Sequence, residues 1–223
     1  GRADKDGRTP LYIACQVGHV EAARLLLAYG AEIDRANKDG RTPLYIACQE
    51  GHVDAARLLL DKGAEVDRAK EDGRTPLYIA CQEGHVDVAR LLLDKGAAVD
   101  RADNRGRTPM DAAKDFNHDA LVVLLEEHLD SKFPLHAAAR TGDVEAMTQL
   151  LDGGAEVDAK KDGATPLFVA CQGGHVDTAR LLLGQGADVN RAKGNGATPL
   201  FAACFNGHVD AARLLLDKGA EVD

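Results

Sequence analysis

The stretch Gly73 to Asp100 reads GRTPLYIACQEGHVDVARLLLDKGAAVD, and its local chemistry sets the reading of the whole chain. Asp72-Gly73 makes a turn, because Gly accepts positive φ and Asp tolerates it. Thr75 stands where a helix N-cap belongs, and Pro76 takes the first helical position, where a missing N–H costs nothing. Leu77, Ile79 and Ala80 begin a short inner helix that Gly84 ends. A second helix is predicted from about Val86 to Asp94, with Val88, Ala89, Leu91 and Leu92 on a wide apolar face and Gly96 closing it. Ala97 to Asp103 is then extended and turns into the next segment. Two helices and a projecting finger cannot bury that much apolar surface alone, so neighbours must stack.

The neighbours are present in the chain. Thr-Pro stands at Thr9-Pro10, Thr42-Pro43, Thr75-Pro76 and Thr108-Pro109, each 33 residues after the last, and again at Thr165-Pro166 and Thr198-Pro199. With a variant copy near Phe133-Pro134 this makes seven repeats. A 33-residue period carrying T-P-L, an alanine-rich helix, Gly-His and a leucine-rich helix resembles the ankyrin repeat over nearly the whole chain. The resemblance implies an all-α solenoid of about seven helix-turn-helix units with short extended β-hairpin fingers. It also implies protein partners bound by the finger tips and the exposed side of the inner helices.

Composition agrees with close helix packing. Hydrophobic residues make up 45% of the chain but aromatics only 4%, with no Trp, which suits Ala, Leu and Val interfaces. The net charge of −9, with both signs interleaved, argues against nucleic acid or an anionic membrane as partner. No apolar run approaches the roughly 18 residues of a membrane span, and no signal-peptide pattern opens the sequence. Cys15, Cys48, Cys81, Cys171 and Cys204 hold one place in their repeats. Neighbouring copies at roughly 8–10 Å are too far apart for disulfides. Free thiols point to a reducing compartment, cytoplasm or nucleus.

The period fails in the middle. Repeat four carries Met110-Asp111 for Leu-Tyr and Asn117-His118 for Gly-His, and no glycine or finger follows Leu125. Repeat five lacks its Thr-Pro finger. Repeat four resembles a C-terminal cap and repeat five an N-terminal cap, so the expected organisation is residues 1–130 followed by 131–223, the alternative being one continuous seven-repeat solenoid. Placing Asp223 before Arg2 restores the repeat spacing with Gly1 left over, which suggests a circularly permuted, engineered ankyrin chain. Such a chain is expected to form homo-oligomers through uncapped ends or exchanged blocks.

Chemistry finds little support. His19, His52, His85, His175 and His208 recur once per repeat without a second ligand at helical spacing, so a local structural or capping role is expected rather than metal binding. No catalytic, phosphate-cradling or C-x-x-C motif occurs, and the Asp and Glu of AEVD and GHVD read as loop and helix-start carboxylates. No enzyme, cofactor or metal is expected.

Binding remains, by an unidentified protein or peptide. Candidate contacts are the finger residues Arg8, Arg41, Arg74, Arg107, Asp39 and Asp72 and the inner-helix ends Gln49, Glu50, Gln82 and Glu83. The four arginines form a row suited to carboxylates or an acidic peptide, unless each pairs with a neighbouring finger's Asp. Tyr45 and Tyr78 are further candidates, although packing between repeats is the simpler role for them. Tyr12, Tyr45, Tyr78, Phe168 and Phe201 replace the histidine usual after T-P-L, which only His136 keeps, and suggest an aromatic ladder.

Overall fold

Each Thr-Pro step opens a helix in the computed structural model, which describes residues 2–222. The capping threonines hold extended backbone, and their hydroxyl oxygens accept the N–H three residues on, Tyr78 N–H to Thr75 Oγ1 at 3.1 Å being typical. A cap of this kind stabilises its helix by about 1 kcal/mol. At Thr108 the cap is reciprocal, because the Asp111 carboxylate accepts the Thr108 N–H.

Among the described residues the chain forms α1 (Pro10–Gln16), α2 (Val20–Ala28), α3 (Pro43–Gln49), α4 (Val53–Asp61), α5 (Pro76–Glu83), α6 (Val86–Asp94) and α7 (Pro109–Asp115). It continues with α8 (Asp119–Lys132), α9 (Pro134–Thr141), α10 (Val144–Asp152), α11 (Pro166–Gln172), α12 (Val176–Gly184), α13 (Pro199–Phe205) and α14 (Val209–Asp217). These are the seven helix pairs expected from the period.

The chain divides into two bodies, residues 1–128 and 129–223. In the first, α1, α3, α5 and α7 pack in sequence as an inner row, backed by the outer row α2, α4 and α6. In the second, α9, α11 and α13 form the inner row and α10, α12 and α14 the outer one. Helices this short are marginal alone, so their stability comes from shared burial. In α3 the whole stretch Pro43 to Cys48 is buried, and in α4 Ala55, Ala56, Leu58 and Leu59 face it. The missing finger after Leu125 is replaced by helix. α8 runs on to Lys132, and Phe133 alone separates it from α9.

The fingers differ from the expected β-hairpins. Among the described residues they are hydrogen-bonded turns, closed by pairs such as Lys70 N–H to Arg74 O at 2.9 Å and Gly73 N–H to Lys70 O at 2.9 Å. Neighbouring fingers are linked where Lys38 N–H meets Asp6 O at 3.0 Å and Asn104 N–H meets Asp72 O at 2.9 Å. The finger before α11 is one residue shorter, AEVDAKKDG against AEVDRAKEDG. Lys161 and Ala164 there form an antiparallel bridge around Asp162 and Gly163, both at positive φ. That is the backbone a two-residue Asp-Gly hairpin requires.

Cys15, Cys48, Cys81 and Cys171 are buried free thiols, and Cys204 is an exposed one. Among the described residues no helix is long and apolar enough to cross a membrane. The join of Asp223 to Arg2, with Gly1 left over, involves positions outside the described residues.

Candidate functional site

Three arginines of the row, Arg8, Arg74 and Arg107, are already engaged in ion pairs. Arg8 pairs with Asp4 at 2.8 Å and Asp6 at 3.1 Å, and Arg74 pairs with Asp72 at 2.6 Å. Arg107 reaches Asp115 at 2.7 Å. The partners lie in each arginine's own repeat, not on a neighbouring finger. Arg74 also donates to Gln82 Oε1 at 3.1 Å, and its guanidinium beside Asp72 holds that carboxyl well below the usual carboxylate range. Arg41 is half-buried and faces the Tyr12 hydroxyl, while Asp39 stays exposed at its finger tip.

Tyr45 and Tyr78 are corrected from partner contacts to packing residues. They are 2% and 1% exposed, so their rings offer no face to a ligand. Burial pushes the Tyr45 hydroxyl up to about 12. Nor do these rings stack on one another as an aromatic ladder. Arg107 Nη2 donates to Tyr78 Oη at 3.0 Å, and Arg41 and Arg74 of the following repeats lie near the Tyr12 and Tyr45 hydroxyls.

The Gly-His histidines do not cap their helices. At His52, His85, His175 and His208 no side-chain cap bond forms. Instead each Nε2 reaches a backbone carbonyl of the preceding repeat: Gln16 at 3.1 Å, Gln49 at 2.9 Å, Arg140 at 2.9 Å and Gln172 at 3.1 Å, respectively. His118 does the same to Gln82 at 3.0 Å. The ring fits because a glycine lies beneath it. A Cβ on Gly51 would stand 2.7 Å from the His85 ring, and one on Gly84 2.7 Å from the His118 ring. The AEVD aspartates form a second set of rungs, with Asp67 accepting Ala98 N–H at 3.1 Å and Asp158 accepting Asp188 N–H at 3.2 Å.

The family model for ankyrin repeats (3 copies) matches residues 1–70, 66–134, 110–193 and 135–223, spanning both bodies. The chain belongs to the ankyrin-repeat family. Ankyrin repeats generally mediate protein–protein interaction. Similar curated proteins include the mouse 2-5A-dependent ribonuclease, 48% identical over 60 residues, or 26% of this chain and 8% of that protein. Chicken inversin is 45% identical over 60 residues, 26% of this chain and 5% of its own length. Human protein phosphatase 1 regulatory subunit 27 is 41% identical over 68 residues, 30% of this chain and 44% of its own. This ankyrin chain therefore spans less than half of each of those relatives.

What remains for a ligand in the first ankyrin body is the row at the inner-helix ends. Gln49 and Gln82 are half-buried, and each donates to the adjacent glutamate, Glu50 at 3.2 Å and Glu83 at 2.9 Å, both exposed. In the second body a cavity of about 430 Å³ opens between the inner helices and the fingers, lined by His136, Arg140, Lys161, Phe168, Gln172 and Lys193 among others. His136 is buried and bonds Ala164 O at 3.0 Å. Of these the sequence marks His136 and Phe168 at the T-P-L position and Gln172 as an inner-helix end, but not Arg140, Lys161 or Lys193. The signal was available as GATPLF, at Gly163 and Gly196, in place of GRTPLY.

Proposed function

We propose that this ankyrin protein is a non-catalytic scaffold that binds a protein partner on the finger and inner-helix face. One observation carries the reading. Gln16, Gln49 and Gln82 give their carbonyls to His52, His85 and His118 of the next repeat, while the inner-helix ends they occupy still present Glu50 and Glu83 to solvent. Cohesion thus uses the backbone and leaves a spaced polar row for recognition. Asp39 and the finger tips border that row, and Arg74 and Arg107 brace it. Buried free thiols fit a reducing compartment.

A displayed-peptide selection against the full chain, followed by titration on the Glu50→Arg/Glu83→Arg variant, tests the site. Binders to this face should weaken about tenfold or more. Binders indifferent to the charge reversal would remove the row as the contact surface.

A second reading, self-association, is favoured by exposed apolar side chains on α2 and its C-cap and on α13 and α14. Tyr29 and Leu25 are 86% and 60% exposed, and Phe205 and Val209 are 78% and 65% exposed. Such faces fit the side of another ankyrin repeat, including one from a second copy. Sedimentation across a concentration range should then show mass rising with concentration, and a constant monomer mass would exclude this reading.

A further inference from the structure

We infer that the cavity of the second body is a docking site for an acidic peptide segment, with a carboxylate held by Lys161 and Lys193 and a neighbouring apolar side chain set against the half-buried Val169. The inference rests on the protein-binding reading and gives it a place and a ligand chemistry.

The cavity exists because of paired substitutions between repeats. In the first body Arg74 and Arg107 fill the space beside the inner helices, tied to Asp72, Gln82, Asp115 and the Tyr78 hydroxyl. The cavity left beside those arginines is about 120 Å³. In the second body the same sequence position holds Ala164 and Ala197, and the tyrosine that would need an arginine is Phe168. The glutamate that follows Gln49 and Gln82 is Gly173 after Gln172. With arginine, hydroxyl and carboxylate all gone, the opening grows to about 430 Å³, within the range of peptide and small-ligand pockets.

Charge selects the occupant. The lining carries Arg140, Lys161 and Lys193 against Asp130 and Asp162. Asp130 is taken by Arg140 at 2.6 Å. Among the described residues neither Lys161 nor Lys193 forms an ion pair. Their amines lie against aromatic rings instead, Lys161 Nζ 5.6 Å from the Phe133 centroid and Lys193 Nζ 6.0 Å from that of Phe168. In a chain of net charge −9 this is a local positive site beside the half-buried Val169, with the buried Phe168 beneath it. An amine resting on a ring keeps donors for an incoming carboxylate, and Val169 offers the adjacent apolar contact. A basic segment would meet the same lysines as repulsion.

The test uses the full chain and a fluorescein-labelled octapeptide alternating leucine and glutamate, with lysine replacing glutamate in the control. Anisotropy should show the glutamate peptide binding about tenfold or more tightly than the lysine peptide, and weakening as salt rises from about 50 to about 300 mM. Lys161→Glu/Lys193→Glu should lower its affinity about tenfold. Ala164→Arg, which places in repeat six the residue that repeats one to four carry there, should fill the cavity and also abolish binding. Arg90→Ala on α6 of the first body should leave binding unchanged.

Equal binding of both peptides, or binding indifferent to Ala164→Arg and to the lysine reversal, would overturn the proposal. So would preference for a phosphoserine peptide with no response to glutamate. A selection that yields no binder weakened by the Glu50→Arg/Glu83→Arg change would instead strike the general protein-binding reading, so the two failures are distinguishable.

Discussion

His118 Nε2 stands 3.0 Å from the carbonyl oxygen of Gln82, with its ring against Gly84. This bond persists in the repeat whose other signature residues are altered, where Asn117 at positive φ takes the glycine's place. His118→Ala leaves a half-buried carbonyl without its donor. The first body should lose about 1–2 kcal/mol, read from urea denaturation. An unchanged midpoint would show that the rung contributes nothing.

Two glycines separate backbone strain from packing. Gly63 and Gly84 both hold positive φ, 90° and 84°, but a Cβ on Gly63 meets nothing within 4 Å. Gly63→Ala should cost about 1–2 kcal/mol from the left-handed backbone alone. Gly84→Ala carries that cost and a further ~1–3 kcal/mol for displacing the His118 ring. Equal destabilisation of the two variants, measured in the same urea series, would contradict the packing role of the glycine.

Tyr78 and Arg107 act as a pair across two repeats. Tyr78→Phe and Arg107→Ala each remove the 3.0 Å bond, and the double variant should destabilise less than their sum. A coupling energy of about 0.5–1.5 kcal/mol is expected from the cycle. Strict additivity would mean that the two side chains are merely adjacent.

Alkaline pH should unfold the protein through its thiols. Burial pushes Cys15, Cys81 and Cys171 up to about 12 from the ordinary 9.0, and Cys48 further still. The unfolded chain therefore releases these protons first, and stability falls as pH rises from 9 toward 12. Denaturant midpoints at mildly alkaline pH should drop, less so in Cys48→Ala. A thiol reagent at neutral pH should modify Cys204 at once and the other four only on unfolding.

Acid acts through His136 in the second body. Burial lowers its pKa below 6.5, with Lys161 adding to the shift, while the Ala164 carbonyl and Asp162 oppose it. The unfolded chain binds the proton more tightly, so stability present above pH 6.5 is lost as pH falls below it. His136→Gln should flatten that part of the pH profile, and a profile unchanged by the substitution would remove His136 as the cause.

Much of the fold was legible because short-range chemistry specifies it. The Thr-Pro caps, the positive-φ glycines and the leucine faces act within a few residues, so a 33-residue ruler finds them. Partnership between repeats was not legible. Whether a histidine caps its own helix or reaches the Gln82 carbonyl depends on where the next repeat stacks. The arginine row and Tyr45 looked available for a partner because sequence does not show that stacking buries Tyr45, or that Arg8, Arg74 and Arg107 are taken by carboxylates of their own repeats. The shortened finger at Asp162 escaped notice through a single missing residue, and the cavity at Phe168 through the loss of an arginine, which is read only by comparison with its siblings.

The histidine rungs have a further consequence. Their acceptor is a main-chain oxygen, so its side chain is free to differ, as Arg140 serves His175 where glutamines serve elsewhere. The position that joins two repeats is thus indifferent to identity and sits at the edge of the recognition face. Cohesion and specificity become separable traits, and one surface can be rewritten for a new ligand while the stack keeps its fastenings.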